Sequence, residues 1–358
     1  MFSKHATREC ADKFIERKAA NVRKISALGI VICFCSTSAF GDPIADFYKK
    51  AGLTVAVGTG VGGSHDLNAR VIARHMGKYL PGNPTIVVQN VPGAGSLTLA
   101  GQLNHHSRRD GSIIGALNRA AVFEELYTGR ATKVKFNPLE LNWIGAPDRI
   151  TAVAISWHTS PVRTAADLLK RELIVGSSGG TTTTVPRMME EAAGFKFKVV
   201  LGYKSGGDVD LAIERGELEG RAATAWGGLK GRNSDWLTQK KVNLLFQTGL
   251  SKHPDLNDVP LALDFARNSE DRRMMELFFA AEDIGYPYVA PPLVPTDRLA
   301  ALRTAFEKTM LDPNFVEDLR KQSLDVNPVS WQRMTKIIQD SYNAPDHIKA
   351  RLRKALNE

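Results

Sequence analysis

The sequence predicts an α/β protein whose parallel strands are divided between two domains. The chain has 358 residues, of which 43% are hydrophobic, so it can bury a sizeable core, and its length favours two domains over one. From Leu53 onward, short β-branched runs alternate with amphipathic helical patterns, which is typical of α/β layers around parallel sheets. A strand followed by a glycine-rich loop and a helix occurs in both halves of the chain.

Residues 1–39 have the layout of a secretory signal peptide. Basic residues precede the apolar run Ile25–Cys35, and the small residues of Ser36–Ala39 follow it. The run is too short to span a bilayer comfortably, and no later stretch approaches the roughly 20 apolar residues that a spanning helix needs. We therefore expect cleavage and export to the periplasm.

The cysteines and the charge exclude several classes of function. All three cysteines (Cys10, Cys33 and Cys35) lie in this leader, so the mature chain would have no disulfide, thiolate metal site or cysteine nucleophile. The leader carries seven Lys/Arg and three Asp/Glu, and removing its +4 from the total of +9 leaves +5. These basic residues are scattered among acidic ones without interleaved aromatic residues, which argues against nucleic-acid binding.

The first domain begins with a strand, a helix and a second strand. A helical repeat of apolar residues runs from Leu67 to Leu80 and stops at Pro81. It separates two β-branched runs, so the three segments form one βαβ unit. The predicted strands are Leu53–Val57, Thr85–Gln89 and Ser112–Leu117, which ends at Asn118. Trp143–Gly145 followed by Val153–Ile155 is predicted to lead towards the second domain.

The second domain repeats this alternation. Its predicted strands are Leu173–Gly176, Lys198–Leu201, Ala222–Trp226 and Val242–Phe246, and its predicted helices are Pro186–Ala193 and Asp208–Arg215.

The C-terminal part is predicted to return to the first domain. Tyr286–Pro292 has proline near both ends, which predicts an edge strand or a crossing back. Thr296 or Asp297 then caps one helix and Ser330 caps another, and we expect both helices to pack on the first domain.

Three glycine-rich loops each lie between a predicted strand and a predicted helix. They are Gly58–Asp66, Pro92–Ser96 and Gly176–Thr182. A helix start presents unpaired backbone N–H groups and a partial positive charge, and glycine lets a ligand approach those groups closely. Three such loops in one chain predict a site for a small anionic molecule.

The first loop also fits a dinucleotide-binding fingerprint, Gly58-x-Gly60-x-x-Gly63. That fingerprint expects an acidic residue at the end of the second strand to hold the ribose, whereas this strand ends in Gln89-Asn90. Export also separates the protein from nicotinamide cofactors. We therefore expect no cofactor.

The third loop fits the nucleophile elbow of α/β-hydrolases, with Ser178 as the nucleophile and His253 or His347 as a nominal base. An elbow helix should start at the serine, but the β-branched residues Thr181–Thr184 favour a cap or an extended segment there. His65-Asp66 has no evident third partner, so Asp66 is expected to cap the helix or to hydrogen-bond the loop. No histidine spacing suggests a metal site, and we expect no enzyme.

Several short sequence motifs occur together in one chain and follow one another in a fixed order. They are Gly62-Gly63-x-x-Asp66 followed by Ala69-Arg70, Val88-Gln89-Asn90-x-Pro92-Gly93-Ala94-Gly95, Asp110-Gly111, Gly176-Ser177-x-Gly179 and Tyr203–Gly207. With them, residues 50–345 resemble the periplasmic substrate-binding receptors of the tripartite tricarboxylate transporter family, also called Bug receptors.

The resemblance implies a two-lobed periplasmic-binding-protein fold of type II, the Venus flytrap, with a ligand cleft between the lobes. Residues 50–149 and 284–358 would form lobe 1, and residues 150–283 would form lobe 2. The implied ligand is a small organic carboxylate, and the implied partners are the membrane subunits of the transporter. We expect a monomer.

Carried over residue by residue, the resemblance assigns the ligand to backbone amides, hydroxyls and two aromatic side chains. The implied ligand-binding residues are Gly62, Gly63, Ser64, Asp66, Ala94, Gly95, Asn118, Ser177, Gly179, Thr181, Thr182, Tyr203 and Trp226. Val61, His65 and Ser96 depart from the usual family pattern, so the ligand's identity is not implied. Two alternatives stay open: an extracytoplasmic hydrolase using Ser178, and a ligand sensor that docks on a signalling partner.

Overall fold

A computed structural model describes residues 42–129, 136–322 and 324–357. The predicted signal peptide, residues 1–39, lies outside the described residues, and so do the three cysteines. The described residues fold into two β-sheets with flanking helices, which confirms the predicted α/β class.

The elements follow one another in three stretches. The first contains α1 (Pro43–Ala51), β1 (Leu53–Val57), α2 (Ser64–Met76), β2 (Ile86–Asn90), α3 (Leu97–His105), β3 (Ile113–Ala116), α4 (Arg119–Thr128) and β4 (Asn142–Ala146). The second contains β5 (Ala152–Trp157), β6 (Leu173–Gly176), α5 (Thr181–Ala193), β7 (Phe197–Val200), α6 (Gly206–Glu214), β8 (Gly220–Ala225), α7 (Trp226–Arg232), α8 (Ser234–Thr238) and β9 (Val242–Gln247). The third contains α9 (Ser269–Ile284), β10 (Tyr288–Ala290), α10 (Thr296–Met310), α11 (Pro313–Lys321), β11 (Val329–Ser330), α12 (Trp331–Tyr342) and α13 (Asp346–Asn357).

The first sheet has the order β11-β4-β10-β3-β1-β2. Strands β1, β2 and β3 are parallel, with Val55 of β1 paired to Val88 and Ile114 on its two sides. Because parallel strands end at the same edge, the loops that follow these three strands lie together at the carboxyl edge of the sheet.

Strand β10 lies inside the first sheet, antiparallel between β3 and β4. The prediction of a crossing back to the first domain is therefore correct, and the alternative of an edge strand is wrong. The reason is that Pro287 and Pro291 fall just outside the strand Tyr288–Ala290, so no ladder N–H group is missing within it.

The second sheet has the order β7-β6-β8-β5-β9. Strand β6 is parallel to both β7 and β8, whereas β5 is antiparallel to β8 and β9. The loops after β6, β7 and β8 therefore share one edge of this sheet.

Two differences from the predicted element boundaries affect residues of the candidate site. Helix α5 begins at Thr181, five residues before the predicted start at Pro186. Threonine is tolerated in this first turn because its hydroxyl can bond a nearby group, as Thr182 Oγ1 does to Gly179 O at 2.8 Å. Trp226 begins helix α7 instead of ending strand β8.

The C-terminal helices partly confirm the prediction. Ser330 caps α12 through its hydroxyl, which accepts from the amide of Arg333 at 3.3 Å. Helix α10 begins at Thr296 but has no side-chain cap. It packs on α2 and β4 and so lies on the first sheet, as predicted.

Two chain segments connect the sheets side by side. One leads from β4 to β5 through Asp148 and Ile150, and the other returns from α9 to β10 through Gly285 and Tyr286. The amide of Ile150 donates to Glu282 O at 2.9 Å, and the amide of Tyr286 donates to Asp148 O at 3.4 Å. The two crossings are thus joined by backbone hydrogen bonds.

An ion pair holds the end of α9 beside these crossings. Asp283 is fully buried, and its Oδ2 accepts from Arg333 of α12, at 2.6 Å from Nη2 and 2.9 Å from Nε. Its Oδ1 accepts from the amide of Leu250 at 3.2 Å.

Helices α9 and α13 pack against both α4 and α5. Tyr127 of α4 donates its hydroxyl to Phe278 O of α9 at 3.0 Å, and Arg353 of α13 donates to Leu126 O of α4 at 3.0 Å. One hydrophobic core joins Phe123 of α4, Met188 of α5 and side chains of α9 and α13. These two helices therefore connect the helix that follows β3 with the helix that follows β6.

Candidate functional site

The three loops at the carboxyl edge of the first sheet are tied together by one buried hydroxyl. Ser96 Oγ donates to Gly58 O at 2.9 Å and accepts from the amide of Asn118 at 3.0 Å. Ser96 has φ +83, and Gly93 and Gly95 beside it also have positive φ, which the glycines adopt without steric cost. The segment after β2 thus joins the ends of β1 and β3.

Asp66 supports the first glycine loop from inside. Its carboxylate is 1% exposed and accepts from the Gly62 amide at 2.9 Å, from Arg70 Nε at 3.0 Å and from Asn90 Nδ2 at 2.9 Å. Burial alone would raise the pKa of Asp66, but these hydrogen bonds outweigh burial and lower the pKa. The sequence prediction that Asp66 hydrogen-bonds the loop is confirmed, and this saturated carboxylate serves to hold the loop.

Replacing Asp66 by asparagine should lower the free energy of unfolding by about 2 kcal/mol at pH 7, because charge-assisted hydrogen bonds are lost. A folded pKa below the unfolded value means that the carboxylate stabilises the protein above about pH 4. This stabilisation disappears as the pH falls through the folded pKa. Urea unfolding of both proteins between pH 7 and pH 3 measures the difference.

The difference between wild type and Asp66→Asn should therefore shrink as the pH falls. Asp46→Asn, at an exposed position on α1, is the control and should show little difference at any pH. A difference for Asp66→Asn that stays constant down to pH 3 would contradict the assigned role.

The first turn of α2 presents free donors at the same edge. Its N-cap, Gly63, has no capping side chain, and the amides of Ser64, His65 and Asp66 have no acceptor among the described residues. Gly62, Gly63 and Ser64 are exposed. A carboxylate can therefore reach these amides, and the positive end of the helix dipole favours it there.

In the second sheet, the glycine loop after β6 uses its hydroxyls internally. Ser177 is 1% exposed, and its Oγ lies 2.8 Å from Thr182 Oγ1 and 2.7 Å from Thr183 Oγ1. It also accepts from the amide of Gly179 at 3.1 Å. These side chains shape the loop, and its exposed surface is formed by Gly179, Gly180 and Thr181 with their neighbour Ser178.

Trp226 and Tyr203, the two aromatic residues predicted to bind the ligand, differ in their surroundings. Trp226 is 7% exposed, and its Nε1 donates to Asp255 Oδ2 at 3.1 Å. Tyr203 is partly buried and packs on the same apolar cluster as Trp226. Trp226 belongs to the core and also lines a cavity.

That cavity, of about 230 Å³, is where residues attached to the two sheets meet. Its lining includes Ser64 and Asn68 of α2 and Trp226 and Gly227 of α7. The structure therefore brings together two predicted site residues, Ser64 and Trp226. Ala94, Gly95 and Asn118 lie on the edge of the first sheet, and Ser177, Gly179, Thr181, Thr182 and Tyr203 lie on the edge of the second.

Sequence reasoning missed a charged group at this edge. Arg119 directly follows Asn118 at the start of α4, is partly exposed, and makes no hydrogen bond or ion pair within the described ranges. Burial, with the positive charge of Arg119 adding to it, lowers the pKa of His65 to about 4. His65 is therefore neutral at pH 7, and its ring packs edge-on against Tyr286 at 4.8 Å between centroids. The position of Arg119 just after a strand end was the available signal.

Ser178 lacks the environment of a hydrolase nucleophile. In the part of the chain that the structure describes, no hydrogen bond joins Ser178 to a histidine. His253 Nδ1 accepts from the amide of Asp255 at 3.1 Å, and His347 Nε2 lies 3.5 Å from Glu270 Oε1.

The described residues offer neither a metal-binding cluster nor a membrane-spanning helix. They contain no group of three or more His, Cys, Asp or Glu side chains that could hold a metal ion. None of their helices has the length and apolar character needed to cross a membrane.

A larger cavity, of about 460 Å³, lies elsewhere, between α9, α12 and the start of α13. None of the predicted ligand-binding residues lines it. Its walls include Leu277, Ile337 and Ile348, which belong to the core or border it.

Comparisons with known proteins agree with the predicted resemblance. A family model described as "Tripartite tricarboxylate transporter family receptor" matches residues 68–353. The UPF0065 protein in the gbd 5' region of Cupriavidus necator is 26% identical over 292 residues, which cover 78% of this chain and 81% of that protein.

Three solved structures have the same fold. A TctC solute-binding protein from Polaromonas has a TM-score of 0.63 at 16% identity, covering 85% of this chain and 97% of that one. The periplasmic binding protein BugD has a TM-score of 0.51 at 18% identity, with 85% and 97% covered. An R. palustris protein described as bound to adipate has a TM-score of 0.51 at 18% identity, with 85% and 95% covered. The predicted two-lobed periplasmic-binding fold is confirmed.

Proposed function

Because this chain belongs to the tripartite tricarboxylate transporter receptor family, we propose that it captures a small organic carboxylate between its two lobes. It then delivers the ligand to the membrane subunits of a transporter of this type. The lobes are residues 50–149 with 284–358, and residues 150–283. The observation that carries the proposal is the free first turn of α2, whose amides at Ser64, His65 and Asp66 face no protein acceptor among the described residues.

Electrostatics at this edge favour an anion. The partial positive charge of the α2 N-terminus and the guanidinium of Arg119, which has no ion pair in the described ranges, act in the same direction. The negative charge of Asp66 is already compensated by Arg70 and Asn90. A carboxylate bound to three or four such donors, each contributing about 1.5–3 kcal/mol, reaches micromolar affinity after ordering costs.

The relatives support the same class of ligand. One protein of this fold is described as bound to adipate, a small dicarboxylate, and another is described as a TctC solute-binding protein. We propose a non-enzymatic, periplasmic receptor, because the family and these relatives are solute-binding proteins. The hydrolase alternative loses support since Ser178 has no histidine partner in the described ranges.

A thermal-shift screen of the mature protein tests this proposal. Di- and tricarboxylates, monocarboxylates, aromatic acids and amino acids are added separately, with matched uncharged amides as controls. A ligand that binds only the folded state stabilises it by RT ln(1 + [L]/Kd), which is about 2.7 kcal/mol at a hundred-fold excess over Kd. At least one acid should raise the melting temperature, and a flat response to every acid would contradict the proposal.

Replacing Arg119 by alanine should weaken binding of the best acid from the screen about ten-fold, equivalent to about 1.4 kcal/mol. The reason is the loss of a positive charge that acts on His65 in the first turn of α2 and has no ion pair among the described residues. Isothermal titration calorimetry measures both affinities. Arg171→Ala is the matched control, because Arg171 is exposed and precedes β6 at the amino end of that strand. Equal weakening by both substitutions would show a general charge effect and remove Arg119 from the site.

A further inference from the structure

One lysine pairs with acidic residues of both proposed lobes. Lys230 Nζ lies 2.8 Å from Asp255 Oδ2 and 3.0 Å from Asp325 Oδ1. Lys230 and Asp255 belong to residues 150–283, whereas Asp325 belongs to residues 284–358 and lines the cavity of about 230 Å³. A single ammonium group is therefore shared between a carboxylate of its own lobe and a carboxylate of the other lobe.

The backbone on each side of this contact is anchored in the core of its own lobe. Leu229, next to Lys230 in α7, is 2% exposed and belongs to the apolar cluster on the second sheet. Leu324 and Val326, on either side of Asp325, pack on the apolar cluster of the first sheet. A rotation of one sheet and its helices against the other therefore pulls Lys230 and Asp325 apart.

The carboxylate of Asp325 also fits against the backbone of α7. A Cβ built on Gly227 would lie 2.5 Å from Asp325 Oδ2, so glycine at this position lets the carboxylate approach the first turn of the helix. Lys230 lies one turn further along α7 and reaches the other oxygen, Oδ1. Asp325 thus meets α7 through both of its carboxylate oxygens.

The ion pair between Lys230 and Asp325 is partly shielded from water. The two side chains are 33% and 31% exposed, so solvent screens their attraction less than that of fully exposed pairs. Burial alone would lower the pKa of Lys230, but the hydrogen bonds to Asp255 and Asp325 outweigh burial and raise the pKa. Lys230 is therefore charged at pH 7.

The other ion pairs between the proposed lobes, within the described ranges, lie on a different side. They are made by Arg333, His347 and Arg351 of α12 and α13 with acidic residues of α5 and α9. Because α9 and α13 pack on both α4 and α5, separation there would expose apolar core. Opening at the cavity, where Lys230 meets Asp325, exposes less.

The shared ammonium group makes this contact reversible. If the lobes separate, Lys230 keeps Asp255 as its counter-charge, and Asp325 is exposed enough to be solvated. No buried charge is left without a partner, which would be far more costly. A partly exposed pair of this kind changes the ratio of two conformations by up to about five-fold.

We propose that Lys230 and Asp325 form a latch that stabilises the closed arrangement of the lobes, defined as the one in which this pair is formed. Asp255 holds the lysine when the latch is open. The inference rests on the proposed function and deepens it, because it names residues that set how much of the ligand-free receptor is closed. Since the latch acts through this population, it changes the affinity for every ligand by the same factor.

The distance between the lobes in the ligand-free protein tests the latch directly. Strands β2 and β7 are the edge strands farthest from the crossings in their sheets, so their separation should increase on opening. Spin labels on Val87→Cys and Lys198→Cys, at exposed positions of these strands, report it by pulsed dipolar EPR. The three natural cysteines lie in residues 1–39, so the mature chain carries only the introduced pair.

Asp325→Asn keeps the shape of the side chain and removes its charge. It should raise the ratio of open to closed protein about three-fold, seen as a shift of the measured distances to longer values. Lys230→Met should act in the same direction, and the double variant should open no further than Asp325→Asn alone, because both remove one contact. Unchanged distances, additive effects, or a wild-type protein that is already fully open would overturn the proposal.

Asp255→Asn is the matched control, because it removes the other partner of the same lysine. It should not increase the open population, and it should reduce that population, since Lys230 then has only Asp325 to pair with. Asp258→Asn, at an exposed position, makes the same change of charge and should leave the distances unchanged. Equal opening by Asp255→Asn and Asp325→Asn would show a general charge effect and overturn the latch.

Gly227→Ala provides a variant that changes no charge. Its methyl group should displace the Asp325 carboxylate from α7, while alanine favours the helix, so the protein should stay folded. Thermal melting checks the folding of every variant. Opening by Gly227→Ala in the same direction as Asp325→Asn supports the latch, and a closed population equal to that of the wild type would contradict it.

Calorimetry connects the latch to ligand binding. Asp325→Asn should weaken binding of the two best acids from the thermal-shift screen by the same factor, about three- to five-fold. If the two acids are affected to clearly different extents, Asp325 acts on the ligand itself and the latch is overturned, while the proposed function stands. If no acid binds the wild-type protein, the proposed function fails, and the distances in the ligand-free protein still decide the latch.

Discussion

Replacing Arg333 by alanine should lower the free energy of unfolding by about 3 kcal/mol, because it leaves the buried carboxylate of Asp283 without a counter-charge. Asp283 is fully buried and accepts two hydrogen bonds from Arg333, at 2.6 and 2.9 Å. The amide of Leu250 remains as a donor at 3.2 Å. This donor, and water entering beside the truncated side chain, keep the expected loss at the lower end for a broken buried pair. Urea unfolding at pH 7 measures it.

Lys336→Ala provides the matched control on the same helix. Lys336 pairs with Asp340 at 2.8 Å, but the two side chains are 75% and 63% exposed. An exposed pair of this kind contributes about 0.3–0.5 kcal/mol. Similar losses for the two substitutions would mean that Asp283 is not held by Arg333 as described. A second variant, Asp283→Asn with Arg333 kept, should lose less than Arg333→Ala because it buries no charge.

Gly285→Ala should destabilise the protein by about 4 kcal/mol, the sum of backbone strain and overpacking. Gly285 has φ +53 and ψ −107, a conformation that residues with a side chain rarely adopt. A Cβ built on it would lie 1.9 Å from Asp148 O and 2.8 Å from Arg149 Cα. Both contacts involve backbone, so relief requires the two crossing segments to separate. Thermal and urea unfolding measure the loss.

Gly194→Ala separates the two contributions to this loss. Gly194 ends helix α5 with φ +71 and ψ 22, and a Cβ there would meet nothing within 4 Å. Its substitution should cost only about 1 kcal/mol, from conformation alone. Equal costs at both glycines would contradict the close approach of the two crossings.

The fold was predictable where local signals and tertiary packing agree. The strand predictions from Leu53–Val57 to Val242–Phe246 agree with the structure to within two residues, because β-branched runs bounded by glycine and proline have few alternatives. Local propensity failed at Thr181, where threonine hydroxyls bond within the turn and allow helix. It also failed at β10, whose interior position depends on neighbours far away in sequence.

The candidate site was predictable only in part, because some of its residues are brought together only by contacts between segments far apart in the sequence. The glycine loops mark helix starts, so Ser64 and the residues around it can be found from spacing alone. Asp148 gives no such signal, because only the folded chain brings the segment after β4 and helix α2 to the same cavity. Asn68 on a helix face is ordinary in the sequence, and only the structure shows that its Oδ1 is buried without a hydrogen-bond partner among the described residues.

The packing of α9 and α13 on both α4 and α5 has a consequence for motion. Drawing α4 away from α5 would open the apolar core that contains Phe123 and Met188, and each Å² of apolar surface exposed costs about 25 cal/mol. We therefore expect any rotation of one sheet and its helices against the other to have its axis beside α9 and α13. The displacement of a residue grows with its distance from the rotation axis, so the parts of the two lobes farthest from α9 and α13 would move most. We expect a partner that distinguishes the ligand-bound state to bind those parts.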